Sequence, residues 1–304
     1  MVKCLYNVIP KLTVVLFAIS LLGCVASPGL RLDDSGETPV SSVYQATVAQ
    51  LISAALADSF AYNRLAELTD SFGPRFSGTK NLEDAIDWIL EEMKQDGFEN
   101  VRGEEVMIPR WVRGNEWARL ESPWKKDLAM LGLGGSVATP AEGITAEVLV
   151  VGSFEELKKR ADEAEGKIVL FNVPFTNYGE TVRYRYAGAS AAAKAGAVAS
   201  LIRSVGPFSM NTPHTGGMGY EEDIPKIPHA AITMEDAMML GRMAERGERI
   251  VASLYMEAHF EDDVSSRNVV AELVGRENPE EIVVLGGHID SWDVGQGAMD
   301  DGGC

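Results

Sequence analysis

The segment 285-LGGHIDSWDVGQGAMDDGGC-304 brings one His, four Asp and six Gly into twenty residues. His288 is followed by Asp290 two residues on and by Asp300 twelve residues on. Neutral imidazole and carboxylate oxygen are good donors for zinc. A carboxylate has two oxygens, so one Asp can bridge a pair of cations, which sit roughly 3.5–4 Å apart in two-metal hydrolases. Gly295, Gly297, Gly302 and Gly303 let the backbone turn tightly enough to return side chains to one place. Spacing alone leaves three readings open: a zinc site, a calcium loop with all-oxygen ligands, or an acidic surface loop.

A site of this kind needs an element to hold it. The run 282-IVVLGG-287 is continuously apolar, as a strand buried on both faces should be. It would place His288 just past a strand's carboxyl end, where open α/β sheets put their sites. Further strands are predicted at 147–152, 167–173, 197–205, 227–233, 249–256 and 268–275. Helical runs fall between them at 154–165, 181–196 and 234–247, the last capped by Thr233 with Asp236. This alternation predicts α/β architecture. Upstream, 45–72 reads as helical. A second helix carries Leu82, Ala85, Ile86, Ile89 and Met93 on one stripe, with Asn81 as its cap and Gly97 as its stop. Between the predicted strands, 207–225 is a long Pro/Gly-rich loop containing His214, whose plainest reading is a loop His contacting backbone, with a role near a cleft as the alternative. His229 and His259 have no motif around them. Trp111, Trp117, Trp124, Tyr184 and Tyr186 read as core or interface aromatics.

The chain has 304 residues, 46% of them apolar, and a formal charge of −18. That balance disfavours nucleic acid and anionic membrane surfaces as partners. Lys3 and Lys11 followed by apolar 12-LTVVLFAISLLGCVA-26 read as a signal peptide over 1–26, too short for a membrane span. The alternative is a bacterial lipoprotein carrying lipid on Cys24. Residues 27–44 read as a polar leader or propeptide. With cleavage near Ala26, only Cys304 of the three cysteines remains, so no internal disulfide is expected.

The pattern G-G-H-x-D-S-W-D-x-G-x-G-A-x-D-D-G-G resembles the first half of the zinc site of the M28 metallopeptidases. The resemblance extends to 73-GPRFSGTKNLEDAIDW-88, 212-TPHTG-216, 225-PKIPHAAIT-233 and 266-SRNVVAEL-273, and covers essentially everything after the leader. It implies an M28-type zinc-exopeptidase domain, 45–118 and 262–304, with a protease-associated domain inserted at 119–261. It implies that His288 binds one of two Zn2+ ions, that Asp300 bridges both, that Asp290 orients the site from behind, and that the Asp300–Asp301 peptide is cis. The general-base Glu and the other ligands would lie beyond Cys304, so the chain reads as truncated. The function implied is zinc-dependent hydrolysis of dipeptides or small unblocked peptides by a secreted or lysosomal enzyme, with a homodimer possible. The alternative is an inactive product that binds partners through its protease-associated domain.

Overall fold

The computed structural model describes residues 40–303, so the signal segment, Cys24, Cys304 and most of the 27–44 leader lie outside the described residues. The chain divides into two compact units, 1–64 and 65–304. In the first, α1 (Val40–Ala57) begins inside the stretch read as leader. It contains no Gly, Pro or charge to interrupt it. The predicted single helical run over 45–72 is instead two helices, α1 and α2 (Phe60–Phe72). The break falls at Asp58 and Ser59, residue types that favour capping over helix interiors, and Asp58 Oδ1 accepts from Phe60 N at 3.0 Å. No helix among the described residues is long and apolar enough to cross a membrane.

The second unit continues with α3 (Lys80–Gln95), which buries Leu82, Ala85 and Ile86 of the predicted stripe. Its cap is Thr79, not Asn81: Thr79 Oγ1 accepts from Leu82 N at 3.4 Å. Asn81 instead donates to the carbonyls of Phe72 and Pro74, tying down the loop before the helix. Thr79→Ala is therefore expected to cost about 1 kcal/mol in a urea unfolding series, with Thr79→Ser near wild type. An equal loss for the two variants would show that the hydroxyl does not cap the helix.

Beyond α3, β1 (Glu99–Val112) leads into an eight-stranded sheet. The parallel centre is β5 (Ile144–Val151), β6 (Ile168–Phe171), β7 (Ala199–Arg203) and β8 (His229–Ile232). Antiparallel strands flank it: β4 (Met130–Gly132) beside β8, and β9 (Val251–Met256), β2 (Glu116–Ser122) and β3 (Lys126–Leu128) beside β5 in that order. The crossovers are α4 (Phe154–Lys159) with α5 (Ala161–Ala164), α6 (Tyr178–Lys194) and α7 (Met234–Glu245). The α7 cap is the expected one, Thr233 accepting from Asp236 N. Strand alternation splits the core. Ile168, Leu170, Leu201 and Ile232 join Leu240 and Met243 of α7, while Val169, Phe171, Ile202 and Ala231 join Ala189 and Ala192 of α6.

The chain leaves the sheet through β10 (His259–Glu272), which runs antiparallel to β1 as a two-stranded ribbon with Val112 opposite His259 and Glu99 opposite Glu272. The predicted strand at 268–275 is the end of this longer element. The strand predicted over 282–287 is absent: the run pairs with none of the described residues, and Ile282, Val283, Val284 and Leu285 are 83–91% exposed. An apolar run becomes a strand only when a neighbour supplies its hydrogen bonds, and none of the described residues does so.

Candidate metal-binding half-site

His288 thus follows an unpaired run, not a buried strand. What fixes the loop around it comes from elsewhere. Arg75, in the turn between α2 and α3, is fully buried. Its Nε donates to Ile289 O at 2.9 Å, its Nη1 to Gly73 O at 2.9 Å and Gln296 O at 2.7 Å, and its Nη2 to Gly297 O at 3.1 Å. The backbones lock reciprocally: Ser291 N donates to Arg75 O at 3.0 Å, and Arg75 N to Ser291 Oγ at 2.9 Å. Burial holds the Arg75 pKa below its usual value against the opposing field of Asp290. Gly297 has φ +61°, and a Cβ there would lie 2.2 Å from Ser291 Cβ, so the bend requires glycine.

Two neighbours complete the frame. Ser77 Oγ donates to Asp290 Oδ2 at 2.8 Å. Arg113, next to the end of β1, grips Asp293 with two bonds of 2.7 Å, and its Nη1 also reaches Glu116 and Gly132 O. Burial opposes the Arg113 charge, but Asp293 and Glu116 outweigh it and leave its pKa raised. Trp292 packs on Phe76 with ring centroids 5.3 Å apart, and its other edge lies against Gly134, where a Cβ would come within 2.2 Å of the indole.

Within this frame the three predicted residues converge. His288 Nδ1 lies 3.0 Å from Asp290 O and 3.2 Å from Asp290 Oδ1. That engages Nδ1 and turns Nε2 outward, to 3.2 Å from Asp300 Oδ1 and 3.7 Å from Asp301 Oδ2. The Asp300–Asp301 peptide is cis, as the resemblance implied. Burial pulls the His288 pKa down, but the Asp290 carbonyl and the carboxylates of Asp290, Asp301 and Asp300 more than reverse this, so it is raised. His288 and Asp300 are 50% and 71% exposed at the side chain, open enough to be reached from solvent.

The donor chemistry fits zinc. Two ligands of one tetrahedral ion, each about 2.0–2.1 Å from it, are about 3.3 Å apart, close to the Nε2–Oδ1 separation. A neutral imidazole whose other nitrogen is held by a carboxylate and a carbonyl is the usual arrangement of a metal-binding His. The set is incomplete, since no group of three or more His, Cys, Asp or Glu among the described residues could hold a metal ion.

The other histidines make different contacts. His229 is fully buried, with Nδ1 3.2 Å from Ser200 O and Nε2 3.2 Å from Arg185 O. His259 contacts Glu257 O. His214 lies 3.5 Å from an Arg185 nitrogen, and its backbone N donates to Ser204 Oγ. Burial and then Arg185 lower its pKa, with Asp300 opposing. Of the aromatics, Trp111 and Tyr184 are internal, whereas Trp117, Trp124 and Tyr186 are exposed. Sequence reading missed Arg75, Ser77 and Arg113. The first two lie in a segment singled out for its resemblance, but no local pattern shows a hydrogen bond to a residue more than 200 positions away.

Residues 268–304 match the model of Peptidase family M28, and residues 136–240 match that of the PA domain. The chain is 58% identical over 247 residues to carboxypeptidase Q of Xenopus laevis and 56% identical over 247 residues to that of Homo sapiens, in each case over 81% of its length. It spans about half of these relatives, 53% and 52% respectively. The crystal structure of a peptidase M28 precursor from Shewanella amazonensis superposes with a TM-score of 0.82 and 36% identity, covering 86% of this chain and 61% of that one. BSAP, a zinc aminopeptidase from Bacillus subtilis, superposes with a TM-score of 0.57 and 25% identity, covering 80% of this chain and 53% of that one.

Proposed function

We propose that this chain carries the first half of the two-zinc centre of an M28 exopeptidase of the carboxypeptidase Q kind, one that hydrolyses dipeptides or small unblocked peptides. The observation that carries this reading is the convergence of His288 Nε2 and Asp300 Oδ1 to 3.2 Å, with Nδ1 held by Asp290. His288 and Asp300 are the metal ligands in this proposal, and Asp290 fixes the imidazole's orientation. When bound, zinc supplies the Lewis acidity that peptide hydrolysis needs. The protein's part is to fix the His288 ring through Nδ1 so that Nε2 faces Asp300, and to add the PA domain as one wall near the site. We place the protein in the secretory pathway, as a secreted or lysosomal enzyme, on the basis of its apolar segment 12–26.

Zinc titration by calorimetry tests the ligand assignment. The 304-residue chain is expected to bind zinc weakly, at micromolar affinity or poorer, because two ligands fall short of the usual three or four. His288→Ala and Asp300→Ala should each weaken binding at least tenfold, and dipeptide hydrolysis with added zinc should stay at background. Stoichiometric zinc binding untouched by either substitution would place the metal elsewhere. Turnover abolished by His288→Ala would show that a full catalytic set is present.

A further inference from the structure

We propose that Arg75 is the positioning residue of the metal loop. It closes the loop on carbonyls either side of its bend, so that His288 and Asp300 face each other before any metal arrives. The inference rests on the zinc reading above for its consequence, but its geometry stands independently.

Arg75 spends four of its five N–H donors on main-chain carbonyls, and three of those carbonyls belong to the loop: Ile289, Gln296 and Gly297. Ile289 lies one residue from His288, while Gln296 and Gly297 lie just before Asp300. A single planar fork therefore ties the chain beside one proposed ligand to the chain beside the other. Gly302 N closes the far side on Gly297 O at 2.8 Å, so the segment bearing Asp300 hangs from a carbonyl that Arg75 itself holds. The guanidinium is fully buried, and among the described residues it forms no salt bridge. Buried charges are ordinarily paired with a counter-ion. Here the charge is met by carbonyl dipoles and by the nearby field of Asp290, so removing the loop would leave the guanidinium with only the Gly73 carbonyl of its four acceptors. Loop and clamp thus fold together. Lysine cannot substitute, because an ammonium is a point donor and cannot span carbonyls that diverge in a plane.

The test uses the full chain, with cobalt(II) as a spectroscopic stand-in for zinc. Hydrogen exchange is measured on the metal-free protein, and cobalt affinity and its visible spectrum on the same samples. Arg75→Gln is expected to lose at least tenfold of the protection at residues 289–297, while the strands of the PA domain exchange as in wild type. Cobalt affinity should fall at least tenfold, with a changed spectrum. Arg75→Lys should recover less than half of either effect. If Arg75→Gln unfolds the whole chain, the Lys variant carries the comparison, and wild-type protection and cobalt spectrum in it would overturn the proposal. Unchanged protection at 289–297 in Arg75→Gln would also overturn it. Lost protection with unchanged cobalt affinity and spectrum would reduce Arg75 to a structural clamp and overturn its positioning role. Cobalt binding indifferent to His288→Ala would sink the metal reading instead, and the metal-free exchange data would still decide whether Arg75 closes the loop.

Discussion

Replacing Arg113 by alanine is expected to destabilise the chain by about 3–5 kcal/mol, the usual loss when one partner of a buried ion pair is removed. Arg113 and Glu116 are each 9% exposed, and Asp293 is 28% exposed. Without the guanidinium, the carboxylates of Glu116 and Asp293 lose the counter-charge they share, and Glu116 is the more deeply buried of the two. Burial already raises the Glu116 pKa against the pull of Arg113, so Glu116 would take up a proton. The Arg113→Met, Glu116→Gln double variant should recover much of the loss, because Gln keeps an acceptor for Gly132 N, which now donates to Glu116. Urea midpoints at constant slope measure both. A loss below about 1 kcal/mol for Arg113→Ala, within the range of a surface pair, would mean that the triad is effectively solvated.

Acidification from pH 7 to pH 5 should cost about 2 kcal/mol of stability through His229 alone, and about 3 kcal/mol by pH 4. Complete burial pushes its pKa down to about 4, against the opposing effect of the carbonyls of Ser200, Tyr184 and Arg185. The folded value lies below the unfolded one near 6.5, so the unfolded chain takes up the proton first. The stability is present above about pH 6.5 and is lost as the pH falls towards 4. His229→Gln removes the titration, so the gap between the variant's pH profile and that of the wild type reads the effect directly. Parallel profiles from pH 7 to pH 4 would show that His229 is not held neutral. Gly188 of α6 sits against the ring, where a Cβ would lie 3.0 Å from Cε1, leaving little room for hydration.

The central sheet was readable because each buried strand is a short apolar run bounded by turn residues, and α4, α6 and α7 each carry a side-chain cap, Ser153, Asn177 and Thr233. Thr233 with Asp236 shows how local that signal is. The same pattern misled at 282–287. Apolarity reports that a run wants partners, not that partners exist, and the described residues provide none. The long ribbon strands were harder to see, because β1 alternates intermediate and exposed residues along most of its length and lacks an apolar run. In the half-site, the ligand types and their spacing were visible. The clamp was not, because hydrogen bonds from a guanidinium to main-chain carbonyls depend on position and leave no mark on the identities of Ile289, Gln296 and Gly297.

Pairing Val112 with His259 puts the two ends of the intervening segment one strand apart. Closing so small a gap costs little chain entropy, so the cost of separating the intervening guest from its host falls on side-chain contacts such as that of Arg113 with Asp293. A short reverse turn grafted from Val112 to His259 would test whether the host segments and the guest persist as separable units of inheritance.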